Sequence, residues 1–145
     1  MKEKHRQCID WMLSLSKEER NSYADKRLWN IQKGMREMGY SCAKIHETIL
    51  GIFRFFVSAD LDCQQGEFEL FKQITGCYYN NDQFFNMTNH GRTKECMETM
   101  VNWMHSLSEQ MFTDVFTLGA YIMTADGKFH EDEEKTVNLI EQYRP

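Results

Sequence analysis

The chain has 145 residues, 41% of them hydrophobic and 27% charged, with a formal net charge of −5. Such a length and balance suit one folded domain with a single sizeable core. They exclude a protein that grips nucleic acid through a concentrated basic face, and five cysteines without a Cys-x-x-Cys pair exclude a regular disulfide framework.

The only proline is Pro145, a scarcity of helix breakers that favours an all-α fold. No apolar run is long enough to span a membrane, since the longest, Ile52–Val57, is interrupted by Arg54. The first residues lack the apolar core of a signal peptide, so the expected location is cytoplasmic. Charge is uneven: residues 1–40 carry nine Lys and Arg against six Asp and Glu, the remainder eight against sixteen. We therefore expect a helical arm, 1–40, packed on an acidic body, 41–145, within one compact domain.

In chain order, residues 3–15 read as an amphipathic helix with Ile9, Met12 and Leu13 inward and Trp11 nearby. Ser16-Lys17-Glu18-Glu19 has the form of a capping box and opens a helix to Met38, with Leu28, Ile31, Met35 and Met38 on one stripe and Gly39 as its stop. Ser41 starts the next helix, to Ala59, whose end (Phe53, Phe55, Phe56) is apolar nearly all round, as a central helix requires. A helix from Gln65 to Thr75 follows, with Phe68, Phe71 and Ile74 inward. Residues 76–91 are rich in Asn and Gly around a short helical piece, Gln83–Met87. The aromatics there, Tyr78, Tyr79, Phe84 and Phe85, either pin a long connection to the core or form a partner surface. Arg92–Leu107 is expected to be helical with Cys96, Met100, Trp103 and Met104 inward. Ser106-Leu107-Ser108-Glu109 repeats the capping-box form before a helix over Met111–Thr124, and Glu131–Tyr143 closes the chain. About seven helices result, and no strand.

An internal repeat organises this series. Ala125-Asp126-Gly127-Lys128-Phe129-His130-Glu131-Asp132-Glu133 has an earlier copy 66 positions upstream, Ala59-Asp60-Leu61-Asp62-Cys63-Gln64-Gln65-Gly66-Glu67. At that offset Ile49, Leu50, Ile52, Phe56 and Val57 fall on Val115, Phe116, Leu118, Ile122 and Met123. The fold is thus expected to hold two pseudo-symmetric helix–acidic turn–helix halves.

Each turn offers an Asp at the end of one helix and a Glu in the first turn of the next. Asp60, Asp62 and Glu67, and Asp126, His130 and Glu133, are candidate ligands for a divalent cation. Hard carboxylate oxygens suit calcium or magnesium better than zinc, and neither turn matches the twelve-position calcium loop. The alternative is structural: Glu67 and Glu133 can cap free amides at a helix start, and Asp60 and Asp126 can bind turn amides. An Asp just past a helix C-terminus opposes the dipole, so some other partner has to favour it there. Contact with a partner protein is a third role. Phosphate loops, Gly-x-Ser-x-Gly and His-Glu-x-x-His are all missing, and His5, His46, His90 and His105 are isolated, reading as surface or satisfied core residues. The expectation is a protein that is not an enzyme.

Phe56-Val57-Ser58-Ala59-Asp60 through Glu67, and Ile122-Met123-Thr124-Ala125-Asp126-Gly127 through Glu133 with Val137 and Ile140, resemble the tellurite-resistance TerB-like family. That family includes the N-terminal region of a membrane-associated DnaJ-type co-chaperone, and the resemblance covers about residues 41–143. It implies an all-α fold of two pseudo-symmetric halves and an acidic, metal-binding region at Asp60, Glu67, Asp126 and Glu133. It also implies association with tellurite resistance or stress response, in complexes assembled near membranes. Leu61 replaces the turn glycine in the first copy, and Gln64 and His130 stand where a small hydroxyl cap is common. The expected activity is that of a metal-responsive scaffold or adaptor for another protein. Its rival is a metal-independent interaction module using residues 78–87.

Overall fold

The computed structural model describes residues 1–56, 94–125 and 127–142. They form six helices: α1 (Glu3–Ser14), α2 (Lys17–Glu37), α3 (Cys42–Phe56), α4 (Lys94–His105), α5 (Glu109–Met123) and α6 (Glu131–Gln142). No strand occurs among the described residues, and no described helix is long and apolar enough to cross a membrane.

Local chemistry sets the helix ends. Ser16 Oγ accepts the Glu19 N–H at 3.2 Å and Glu19 Oε1 accepts the Ser16 N–H at 3.1 Å, so the capping box forms at the start of α2. At the other end Gly39 adopts φ +86°, a left-handed turn that favours glycine, and the Tyr40 N–H returns to the Met35 carbonyl. Ser41 Oγ accepts the Lys44 N–H and opens α3.

Three expectations need correction. The cap of α5 is Ser108, whose Oγ accepts the Met111 N–H at 3.2 Å, and not Ser106, which donates back to the Trp103 carbonyl at 2.6 Å. Cys96 is exposed rather than inward, because α4 buries Val101 and Met104 and half-buries Met97, Met100 and Trp103. Met38 also leaves its stripe: it sits past the last helical residue of α2 and is 46% exposed, while Leu28, Ile31 and Met35 are buried.

The core gathers around α5. Every residue from Asp114 to Met123 is buried, and the helix packs against α1, α2, α3 and α4. A helix surrounded in this way needs apolar residues on all sides, which Val115, Phe116, Leu118, Ala120, Tyr121, Ile122 and Met123 supply. α6 packs on α3 through the half of the molecule in which Val137 and Ile140 are fully buried.

The sequence repeat is visible as a burial register. The buried residues of α3 are Ile45, Ile49, Leu50, Ile52, Phe53, Phe55 and Phe56. Shifted by 66 they become Met111, Val115, Phe116, Leu118, Gly119, Tyr121 and Ile122, all buried in α5. The caps are offset by one more residue, Ser41 against Ser108, so the frame is kept in the core and slips at the helix start. At one place the copies are opposite in size. Phe53 corresponds to Gly119, and a Cβ at Gly119 would lie 2.4 Å from Cζ of Phe56 on α3. The missing side chain makes room for that ring.

The N-terminal helices are tied to the acidic remainder by side chains far apart in sequence. Arg27 Nη1 meets Asp114 Oδ1 at 2.8 Å, and Arg20 Nη1 donates to the Thr124 carbonyl at 2.9 Å.

Candidate functional site at the second acidic turn

The second turn begins where α5 ends. Thr124 is completely buried, with Oγ1 donating to the Ala120 carbonyl at 2.7 Å and its N–H directed to the Ala120 and Ile122 carbonyls. Gly127 then takes φ +83°, and its N–H reaches the Thr124 carbonyl at 2.9 Å. Residues other than glycine rarely adopt that conformation. The Thr124 carbonyl accepts Arg20 Nη1 as well, so a guanidinium lies at the negative end of the α5 dipole.

Beyond the bend, Phe129 packs half-buried on the core and Lys128 is exposed. His130 acts as the N-cap residue of α6 through its backbone. Its carbonyl accepts the Glu133 and Glu134 N–H groups, and its own N–H donates to Glu133 Oε1 at 2.8 Å. Glu133 is 2% exposed. The Glu133 carboxylate thus makes the reciprocal half of a capping box, which is the structural role its spacing allowed. A carboxylate has several lone pairs, so one oxygen in a cap leaves chemical capacity for a second contact. Glu131, Asp132, Glu133 and Glu134 together fill the first turn of α6, where the helix dipole favours them. Asp132 also receives Lys135 Nζ at 3.7 Å.

Of the candidate ligands, His130 and Glu133 are brought together. Asp60, Asp62, Glu67 and Asp126 lie outside the described residues, as do Tyr78, Tyr79, Phe84 and Phe85. Among the described residues no three of His, Cys, Asp or Glu converge as a metal cluster. The described part of the turn fits a hard cation only in part: it offers one buried carboxylate that is already a cap, and a carbonyl already held by Arg20.

Sequence spacing did not point to the residues that surround the turn. Arg20 is 104 positions from Thr124, and no local pattern announces the pair. Tyr121, one turn earlier on α5, donates its hydroxyl to Asn21 Oδ1 on α2. Burial pushes the Tyr121 phenol up to about 12; Asp25 adds to that and Arg20 opposes it. The histidines behave as expected where they are described. His5 is buried and bonded, His105 Nε2 lies 2.9 Å from the Ile140 carbonyl, and His46 is exposed.

Neither family models, nor curated proteins, nor solved structures give a match to this chain.

Surface grooves border the described helices elsewhere. One, of about 580 Å³, runs between α3 and α4 past Tyr40, Gly51, Phe55, Met100 and Trp103. Its polar walls are engaged within the chain: Trp103 Nε1 donates to Tyr40 Oη at 3.1 Å, and Lys44 Nζ sits 4.1 Å from the Tyr40 ring. Another, of about 610 Å³, lies between α2 and the start of α5, with Trp29 at its rim, 58% exposed.

Proposed function

We propose that this chain is a non-enzymatic, TerB-like helical scaffold or adaptor. Its two helix–acidic turn–helix halves hold a divalent cation, calcium or magnesium rather than zinc, and present a protein partner in a stress response. The observation that carries the reading is the second turn. A buried Glu133, a left-handed Gly127 and the Arg20–Thr124 contact form one continuous unit with the core helix and the N-terminal arm. A cation taken up through Asp126 and Glu133 would therefore stiffen a turn already coupled to α2, and would alter the surface that α2 contributes. Tellurite resistance and assembly near membranes follow from the family resemblance alone.

The test is thermal unfolding of fully chelated protein, repeated with calcium, magnesium, manganese and zinc. A ligand at about 100 times its dissociation constant adds roughly 2.7 kcal/mol when it binds only the folded state. Asp126→Asn is the diagnostic variant and should abolish the ion-dependent rise. Glu133→Gln also weakens a helix cap, so only its loss of ion response, not its lower baseline, counts. No rise with any ion in the wild type rejects the metal.

The Glu133–His130 contact also favours a second reading, because it gives the carboxylate a role without metal. In that reading the chain is an interaction module using the aromatic residues of 78–87. Partner binding would then survive chelation and weaken in Phe84→Ala or Phe85→Ala.

A further inference from the structure

A cluster away from the acidic turns joins the two ends of the described fold. The Glu141 carboxylate, near the end of α6, accepts the Lys2 N–H through both oxygens, at 2.7 Å and 2.9 Å. Lys2 is the N-cap residue of α1 and its own side chain makes no capping bond, so Glu141 caps α1 from another helix. The same carboxylate meets His5 Nδ1 at 2.8 Å. A carboxylate accepts here, so Nδ1 carries the proton. The His5 ring is 6% exposed and stacks on Phe116 of α5, with centroids 4.4 Å apart. Two further turns of α1 bury Ile9 and Met12 completely.

We propose that α1 is an acid-released latch, seated on the central helix α5 and held shut by His5 and Glu141. Burial and the groups facing His5 together set the direction. Lys2 and Lys4 on its own element repel an imidazolium, Glu141 on α6 attracts it, and α5 presents the Phe116 ring. Burial outweighs the attraction of Glu141 and holds the imidazole below its ordinary range. The Glu141 carboxyl is pushed up by burial, but the His5 and Lys2 hydrogen bonds, the His5 charge and the Met1 amine 3.8 Å away outweigh this and hold it low. Both groups therefore bind protons more readily once α1 has left. Seating is complete above the ordinary imidazole range and is lost as pH falls below it. A second loss follows as pH falls through the carboxylate range. Release would uncover Phe116 and the face of α5 on which α1 packs, without unfolding α2, which is held by its own Arg27–Asp114 and Arg20–Thr124 contacts.

The measurement is amide hydrogen exchange, expressed as protection relative to the unfolded chain, between about pH 7.5 and about pH 5.5. Protection of α1 should fall by up to about tenfold per pH unit below the imidazole range, with α5 unchanged. His5→Phe keeps a ring against Phe116 and removes the titration, so α1 protection should become flat over this range. Glu141→Gln should lower α1 protection already at neutral pH. Direct titration of the His5 ring in the wild type gives an answer that needs no variant, and it should lie below the ordinary histidine value. Constant α1 protection in the wild type, an unchanged acid response in His5→Phe, or a raised His5 titration would each overturn the latch.

Discussion

Gly119→Ala is the most exposed test of the core geometry, because two familiar effects oppose each other there. In the middle of a helix, alanine is favoured over glycine by about 1 kcal/mol. Here the added Cβ would lie 2.4, 2.5 and 2.6 Å from Cζ, Cε1 and Cε2 of Phe56. The Phe56 ring has nowhere to go: it is 1% exposed and stands edge-on to Phe55 at 4.9 Å and 87°. Overpacking of this kind costs roughly 1–3 kcal/mol, and a contact this short, against a ring so enclosed, belongs at the upper end. The net expectation is a loss of about 2 kcal/mol, read as a lower urea midpoint with an unchanged slope. Gly51→Ala is the control. Among the described residues its Cβ would meet only the flexible end of Met100, at 3.0 Å, so it should be neutral or stabilising. Adding Phe56→Leu to Gly119→Ala should recover part of the loss, giving a less than additive cycle. A Gly119→Ala protein as stable as the wild type would refute the close approach of α3 to α5.

Ser16→Ala and Ser108→Ala should each lower unfolding free energy by about 1 kcal/mol, whereas Ser106→Ala should be nearly neutral, since Ser106 caps no helix start and the Trp103 carbonyl it meets keeps the Ser106 N–H. Arg27→Met strands a 5% exposed Asp114 carboxylate and should cost about 2–3 kcal/mol in chemical denaturation; Arg27→Met with Asp114→Leu should recover most of it. The folded state holds Tyr121 protonated to about 12, so the unfolded chain loses that proton first and stability should fall as pH rises between the ordinary phenol value and 12. Tyr121→Phe should flatten that alkaline limb of the pH–stability curve.

Local signals in the sequence carried the helices well. The Ser16–Glu19 box, the Gly39 stop and the Gly127 bend each depend on neighbours within a few residues, and all three stand in the structure. The repeat also survived folding as a burial register, because a core position is decided by the helical period. Where two serines sit two residues apart, spacing alone did not tell which one caps, and the Glu at 109 pointed to the wrong one. Cys96 was misplaced for a related reason: a shift of one residue around α4 turns a side chain about 100°. The ties that join the helices, Arg20 to Thr124, Arg27 to Asp114 and His5 to Glu141, span 104, 87 and 136 positions and leave no periodic trace. His130 and Glu133 stand at the start of α6, where the Glu133 carboxylate accepts the His130 N–H as a cap.

The size exchange at the repeat has a consequence for how such a fold can be taken apart. Two α3 helices facing one another in the manner of α3 and α5 would set Phe56 against Phe53, two rings in the room for one. Two α5 helices would set Ile122 against Gly119 and leave a hole. Only the mixed pair fills its space, as a tenon fits its own mortise. Within a single polypeptide the two copies need not be identical, and here each is shaped to fit the other. Either helix transplanted alone would carry only half of a joint.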